Sequence, residues 1–369
     1  MRTYSPHGIS PRAKKHPVRF FAGCTLGFVL LGWMLFKAGP QTVFQAILRV
    51  SPWMLAATIG LIYLSIPLRV IQWRFLLSGS GDVGFFGVLK ALGLGYLGAV
   101  LLPMGGGELV KSYALARFSK LPVARALASV VLVRAQDLLP VLLLAAVALG
   151  ILPLQHATVE NQVSGFPHPV QPVSSEALRM ALLLVALGTL GVFAGLTALY
   201  VYTDACRRYV MNVTGRISGR LAQWSARMIT HFSDGLNALR NKRQFWKGQG
   251  CAFLCWALFA VAPIPLLLVF GLDLHRACLS AVALTGLTTL TQLLPITPAA
   301  LGTYHVVCVF TLAAMNPGMT RDTAMAYALV SHLIGTLSPA VLGLIFLPWT
   351  WGQVRTVRKR PTSQDSVDP

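Results

Sequence analysis

An all-α, polytopic membrane protein is what this chain predicts, and two features of the sequence carry that reading. Of its 369 residues, 55% are hydrophobic and only 11% are charged, against about 25% charged in an ordinary soluble domain. The hydrophobic residues also fall in uncharged runs of the length, about 20 residues, that a helix needs to cross a hydrocarbon core of roughly 30 Å. The remaining charges are 31 Lys and Arg against 11 Asp and Glu, a formal net charge of +20. A soluble nucleic-acid binder of that charge needs far more polar surface, so nucleic acid is not an expected partner and the basic excess belongs in the loops. The six cysteines lie in apolar runs or beside basic segments and form no secreted disulfide framework.

The first span is residues 20–36. Five basic residues and no acid precede it, as in a signal peptide, but no convincing small-x-small cleavage site follows and further apolar segments do, so it reads as a retained span. The second span, 52–68, ends at Arg69 and Arg74. The stretch 91–107 is uncharged but short, and Glu108, Lys111, Arg117 and Lys120 follow it directly. Residues 127–152 are apolar except for Arg134 and Asp137. Residues 178–202 and 251–272 are clean spans, 277–320 contain 44 residues without Lys, Arg, Asp or Glu, and 323–351 close the membrane part. About six full spans and two broken or re-entrant hairpins result.

Charge in the connections orients these segments. Residues 153–177 hold no Lys or Arg, whereas 203–249 hold nine basic residues against Asp204 and Asp234, which puts the first outside and the second in the cytoplasm. In the basic segment Ile217, Leu221, Trp224, Met228 and Phe232 recur at helical spacing with Arg216, Arg220 and Arg227 between them, an amphipathic helix on the inner leaflet or a solvated connector. If 85–103 crossed completely, every later loop would invert and the nine basic residues would be exported. The chain is therefore expected to enter, turn at Leu101–Gly107 and return, and such irregular backbone at membrane depth marks the interior of the molecule. With this topology 25 of the 31 basic residues are cytoplasmic, as are both termini. The expected organisation is a basic N-terminus (1–19), a first membrane repeat (20–152), an external loop (153–177), a second repeat (178–351) containing the basic segment, and a basic tail (352–369).

The two hairpin tips echo one another. Leu101-Leu102-Pro103 is followed by Leu109 and Tyr113, and Leu293-Leu294-Pro295 by Leu301 and Tyr304. Because the first half begins inside and the second outside, the pattern predicts an inverted repeat, and paired broken segments in two such halves point to a transport site near the midplane. The tip residues are Pro103, Gly105, Gly106 and Gly107 in the first half and Pro295, Pro298 and Gly302 in the second.

Pro103-x3-Gly107-Glu108-x2-Lys111-x-Tyr113, then Arg117, residues 126–131 and Arg134-x2-Asp137, resembles the Pro-x-x-x-Gly-Glu, Arg-x-x-Asp pattern of the lysylphosphatidylglycerol synthase transmembrane region, or flippase-like domain, family. Pro295-x2-Pro298-x2-Leu301-Gly302 is similar to that family's Pro-Gly-Gly-Leu-Gly motif. The resemblance covers roughly residues 20–350 and implies a bacterial inner-membrane protein that moves lipids or lipid-linked groups between leaflets. The chain departs from the pattern in three places: Ala299 and Ala300 replace the two glycines, His305 stands where an acid is common, and Val133 precedes Arg134 where Glu is common. The tight backbone approach and the acidic proton site of the second tip are therefore not carried over. Nor is the synthase activity of two-domain relatives, since 18 residues follow Trp351.

Glu108, near the start of the returning helix, suits a helix N-terminus. It either caps that helix and pairs with Lys111, or faces a polar cavity. The neighbouring glycines could offer N–H groups to a phosphate there, with Lys111 offsetting the carboxylate. Arg134 and Asp137 share one helix face inside an apolar run, as a structural pair or as a guanidinium that attracts lipid phosphate with a carboxylate that orients it. Tyr304 and His305 complete the candidate translocation residues. His305 and His332 read as interior hydrogen-bonded histidines or as a titrating relay. Hydrolase, metalloprotease and nucleotide-binding signatures are missing from the sequence, so no enzyme activity, cofactor or metal site is expected. Lipid translocation is the preferred reading, with anionic or phosphate-bearing membrane lipids as partners. The alternative is a non-transporting scaffold or lipid-presenting partner of a separate lipid-biosynthetic enzyme.

Overall fold

A computed structural model of the chain describes residues 50–79, 83–102, 105–151, 175–293 and 300–358, together with 41, 44, 45 and 48. The expected first span, most of the external loop, and the tip residues Pro103, Pro295 and Pro298 lie outside the described residues. The protein is all-α and polytopic. In order come α1 (Pro52–Leu76), the hairpin α2 (Phe85–Leu101) and α3 (Gly106–Ser119), α4 (Val123–Ile151), α5 (Ser175–Val201), α6 (Thr203–Gly215), α7 (Gly219–Gly235), α8 (Lys242–Val261), the single-turn α9 (Ile264–Val269), the hairpin α10 (Leu274–Leu293) and α11 (Thr303–Met315), and α12 (Arg321–Arg358).

Five stretches among the described residues are long and apolar enough to cross a bilayer: Pro52–Leu76, Val123–Ile151, Leu183–Val201, Lys242–Val269 and Arg321–Pro348. Each corresponds to an expected span. Their outer faces remain apolar, with Leu64, Leu143, Leu187, Leu190, Leu337 and Leu344 exposed, a surface that hydrocarbon and not water covers. The arms α3 and α11, at 14 and 13 residues, reach only about 20 Å, so they turn back within a membrane-thick bundle.

The order of long helix, broken hairpin, long helix occurs twice, and the packing repeats with the halves exchanged. Helix α1 packs on α8. The first hairpin arm α2 packs on the last helix α12, and its counterpart α10 packs on α4. Each half thus inserts its hairpin against the other half's final helix. Glycines make both crossings close: Gly93 on α2 lies against Leu342 and Gly343 of α12, and Gly286 on α10 lies against Leu144 and Ala145 of α4. The tips correspond as well. Gly105 (φ 76°) and Gly302 (φ 80°) each stand immediately before the returning helix, in the left-handed region that glycine enters without a Cβ penalty. Ala300 also has a positive φ, 55°, where a Cβ costs about 1–2 kcal/mol.

Helix ends do not coincide with every segment boundary of the sequence reading. The basic segment 203–249 is helical for most of its length, as α6, α7, a 3-10 turn (Asn237–Leu239) and the start of α8, because its charges sit on the outer faces of helices whose inner faces pack. Ala222, Ala226 and Ser233 of α7 are buried while Ile217, Leu221 and Trp224 stay exposed. Arg125 at the start of α4 pairs with Asp234 at 2.9 Å, which ties this layer to the bundle. The tail boundary at 351/352 falls inside α12, since the end of an apolar run does not end a helix. At the far side, Asp273 caps α10 by accepting from the backbone N–H of Arg276 at 3.0 Å, and that bond holds its carboxyl below the usual range.

Two sets of glycine exchanges test this packing. A Cβ on Gly286 would stand 2.7 Å from the carbonyl oxygen of Leu144, whereas one on Gly60 would meet nothing within 4 Å. Gly286→Ala is expected to cost about 1–3 kcal/mol and Gly60→Ala to be neutral or stabilising by up to about 1 kcal/mol, read by thermal unfolding in detergent. Ala300→Gly, which removes the Cβ from a left-handed position, should raise the unfolding temperature slightly, by up to about 1 kcal/mol of stability.

Candidate functional site: a two-walled cavity between the halves

Where the crossed halves meet they enclose a cavity of about 460 Å³ whose wall draws on α1 to α4 and on α8 to α12. That volume lies within the about 300–1,000 Å³ of small-ligand sites, enough for a lipid headgroup but not for a whole two-tailed lipid.

The first half lines it with charge. Arg69 of α1 donates from Nη1 to Asp137 Oδ1 and to Gln72 Oε1 (3.2 Å), and Gln72 Nε2 donates to the same Asp137 oxygen at 3.4 Å. Glu108 accepts from Arg134 through Nε (3.0 Å) and Nη2, and Lys111 Nζ lies 3.4 Å from its other oxygen. Aromatic faces seat two of the cations: Lys111 Nζ is 4.9 Å from the Trp73 ring centre, and the Arg69 guanidinium carbon 5.5 Å from that of Trp256 and 5.6 Å from that of Phe259. Three cations against two carboxylates leave one net positive charge. Arg134 presents it, since its side chain is 55% exposed and borders the cavity while Glu108 stands behind it, off the cavity wall.

The predicted residues Glu108, Lys111, Arg134 and Asp137 are therefore together, but with different partners. Arg134 and Asp137 approach only to 3.8 Å, too far for a hydrogen bond. The principal partner of Asp137 is Arg69, which sequence reasoning assigned to the cytoplasmic flank. The glycines also serve packing more than anion binding. A Cβ on Gly106 would meet Leu102 at 2.5 Å and one on Gly107 the carbonyl oxygen of Gly95 at 2.6 Å, so both let the hairpin arms close, and the N–H of Glu108 is already taken by the Gly105 carbonyl at 2.9 Å.

The second half lines the cavity with neutral polar groups. Thr285, Thr288 and Thr289 of α10, Tyr304 of α11, and Tyr327, Ser331 and His332 of α12 all border it. Tyr304 stacks on His332 with ring centres 4.7 Å apart and shares a 3.0 Å hydrogen bond with Ser331. His305 is 1% exposed, with Nε2 lying 3.4 Å from His332 Nδ1. The two histidines are thus one pair and not two isolated interior groups. No cluster of three or more His, Cys, Asp or Glu able to hold a metal occurs among the described residues.

The two walls match in register. Glu108 is the third residue of α3 and Arg134 the twelfth of α4, while His305 is the third residue of α11 and His332 the twelfth of α12. In each half the twelfth residue of the long helix borders the cavity and the third residue of the hairpin helix stands behind it.

The family described as Lysylphosphatidylglycerol synthase TM region matches residues 20–343. The chain is 27% identical over 347 residues to a protein named Glycosyltransferase AglD of Haloferax volcanii, covering 90% of this chain but 54% of that protein, so it spans about half the length of that relative. It is 24% identical to a UPF0104 membrane protein of Methanothermobacter thermautotrophicus (88% of this chain, 93% of the relative) and 23% identical to UPF0104 membrane protein MJ1595 of Methanocaldococcus jannaschii (87% and 91%). No solved structure matches.

The charged wall makes a double-mutant prediction. Asp137→Leu leaves Arg69 buried without its carboxylate and should destabilise by about 3–5 kcal/mol, whereas Arg69→Met combined with Asp137→Leu should recover most of that loss. Chemical or thermal unfolding of the single and double variants in detergent measures the difference. A double variant no more stable than Asp137→Leu alone would deny the pairing.

Proposed function

The chain belongs to the lysylphosphatidylglycerol synthase TM region family, and from the cavity it encloses we propose that it translocates a lipid or lipid-linked substrate across the membrane. The observation that carries this reading is Arg134: a guanidinium half open to a cavity between two repeated halves, inside a bundle whose outer surface is apolar. A charged side chain at membrane depth is expensive and commonly marks a substrate pathway. Its planar donors suit a phosphate oxygen, and the single net positive charge of the wall suits a phosphodiester, which carries one negative charge. The headgroup would occupy the cavity with its phosphate on Arg134 and Lys111 and its hydroxyl-bearing part toward the threonines of α10, while the acyl chains stay in the bilayer.

In this reading the protein sits in the inner (cell) membrane with both termini in the cytoplasm, and it acts as a carrier and not as an enzyme. Anionic or phosphate-bearing lipids are its partners. The glycosyltransferase among its relatives adds sugar-bearing lipids to the substrate classes to be assayed.

Liposomes that contain the purified protein and a phospholipid labelled in one leaflet test the proposal. Transbilayer exchange should accelerate, and Arg134→Gln should slow it about tenfold or more, the equivalent of one hydrogen bond to a charged group. Glu108→Gln, which releases Arg134 from its backing carboxylate, should also slow exchange. Exchange that stays at the rate of protein-free liposomes for every anionic and zwitterionic lipid tried overturns the reading.

A further inference from the structure

We infer that the His305–His332 pair is a proton-binding site that holds one exchangeable proton and couples the passage of substrate to a transmembrane proton gradient. The coupling rests on the translocation reading above; the proton site does not.

Three independent features carry the inference. The first is position. By register the pair occupies the place in the second half that Glu108 and Arg134 occupy in the first, so a fixed ion pair on one wall faces its counterpart built from two groups that titrate. The second is an unmet bonding requirement. His305 is 1% exposed, and its Nδ1 has no hydrogen-bond partner among the described residues, while its Nε2 faces His332 Nδ1 at 3.4 Å. In the neutral pair one N–H lies between those two nitrogens, which leaves His305 Nδ1 either a lone pair without a donor or an N–H without an acceptor. Such a buried group is costly and persists where it is used. The third is access. His332 borders the cavity, so a proton can arrive from cavity water without crossing the apolar shell.

The surroundings fix the stoichiometry. The titratable groups that border the cavity or adjoin the pair on the surrounding elements are Tyr304 and Cys308 on α11, Tyr327 on α12, and Tyr96 on α2, all neutral near physiological pH. Others on these helices stand off the cavity wall: Lys90 near the start of α2, His275, Arg276 and Cys278 at the start of α10, and Arg321 and Asp322 at the start of α12, whose far end carries Arg355 and Arg358. Helix α10 turns threonines toward the cavity, and Ile264–Val269 is wholly apolar. The charged side chains on the cavity wall are Arg69, Lys111, Arg134 and Asp137, all on helices of the first half, with Glu108 behind them. With no carboxylate on its own wall among the described residues, the pair accepts one proton and shares it as imidazole and imidazolium. A second would place two positive charges about 3.4 Å apart in an apolar setting. One proton adds one positive charge opposite Arg134, which favours an anionic headgroup in the cavity. Loss of the proton to the other side lowers that attraction and releases the headgroup.

Two measurements test it. In nanodiscs, 15N-histidine spectra assigned with His305→Gln and His332→Gln should show the two side chains shifting together through a single one-proton titration between about pH 8 and pH 4. His305→Asn and His332→Asn provide the same assignment if a glutamine variant does not fold. Shifts that stay constant over that range, or two separate one-proton steps, overturn the site. In liposomes the rate of labelled-lipid movement with an imposed pH difference, divided by the rate without one, should be several-fold above one for the unmodified protein and fall to one in either histidine variant. An unchanged ratio in the variants overturns the coupling. A titrating pair in a protein that moves no lipid removes the coupling together with the translocation reading and keeps the proton site.

Discussion

Everything in the cavity depends on where two carboxylates stand. Asp137 and Glu108 each hold a guanidinium that belongs to another helix, Arg69 of α1 and Arg134 of α4, so the two ion pairs tie α1, α3 and α4 into one rigid wall. Taking such groups out of water costs several kcal/mol per ion, which the mutual attraction offsets only when the geometry is good and the remaining donors are satisfied. Here amides and rings satisfy much of this shell, although Asp137 Oδ2 has no hydrogen-bond partner among the described residues and meets only Arg134, at 3.8 Å. Gln72 bonds both Arg69 and Asp137, Gln136 reaches the carbonyl of Phe245 at 2.9 Å, and Trp73 anchors itself on Ser129 at 2.9 Å beneath Lys111. An apolar wall of the same volume would hold the helices as well or better. The charges therefore make sense as a surface presented to something, and the half-exposed Arg134 is where that surface opens.

The fold makes this presentation possible by breaking helices in pairs. A helix that crosses the bilayer satisfies its own backbone and can offer the interior only side chains. A hairpin that stops midway offers a helix start as well, and α3 and α11 both start beside the cavity behind a glycine in the left-handed region. Because the returning arm of each hairpin packs on the final helix of its own half, α3 on α4 and α11 on α12, the third residue of the hairpin helix meets the twelfth residue of the neighbouring long helix in both halves. Glu108–Arg134 and His305–His332 are two chemical fillings of one geometric slot.

How much of this was legible in the sequence follows from the range of each interaction. Hydrophobic length alone located the five spans among the described residues, since crossing a bilayer is a local property of some twenty residues. The hairpins were legible from Leu-Leu-Pro and the glycines that follow, because a missing N–H or a left-handed φ is also local. Arg134 and Asp137 announced themselves as charges inside an apolar run. Arg69 did not. It closes an apolar stretch, where a cytoplasmic flanking charge is the ordinary expectation, and only Asp137, distant in sequence, draws it inside along a helix that continues to Leu76. The histidine pair was hidden for the same reason, since its members lie on α11 and α12 and only the crossing of those helices brings their rings together. The family motif puts an acid near position 305, and His305 is legible as a substitution in that pattern only after its partner is known.

The same symmetry that duplicates the architecture leaves the chemistry unequal, and the inequality has a physical consequence. Two walls with fixed charge would hold an anion at one constant strength, and a carrier that binds equally well in both orientations of its cavity only equilibrates its substrate. A wall whose charge never changes, facing one whose charge depends on which solution it last met, gives the cavity two affinities from one set of side chains. The difference requires no large rearrangement at the site, only that His332 exchange protons with one side at a time. A population shift is no larger than the difference in binding energy between its two states, and here that difference is one unit charge across the cavity. At an effective dielectric of about 20, one charge about 4 Å from its partner is worth about 4 kcal/mol, enough to separate a loading state from a releasing one.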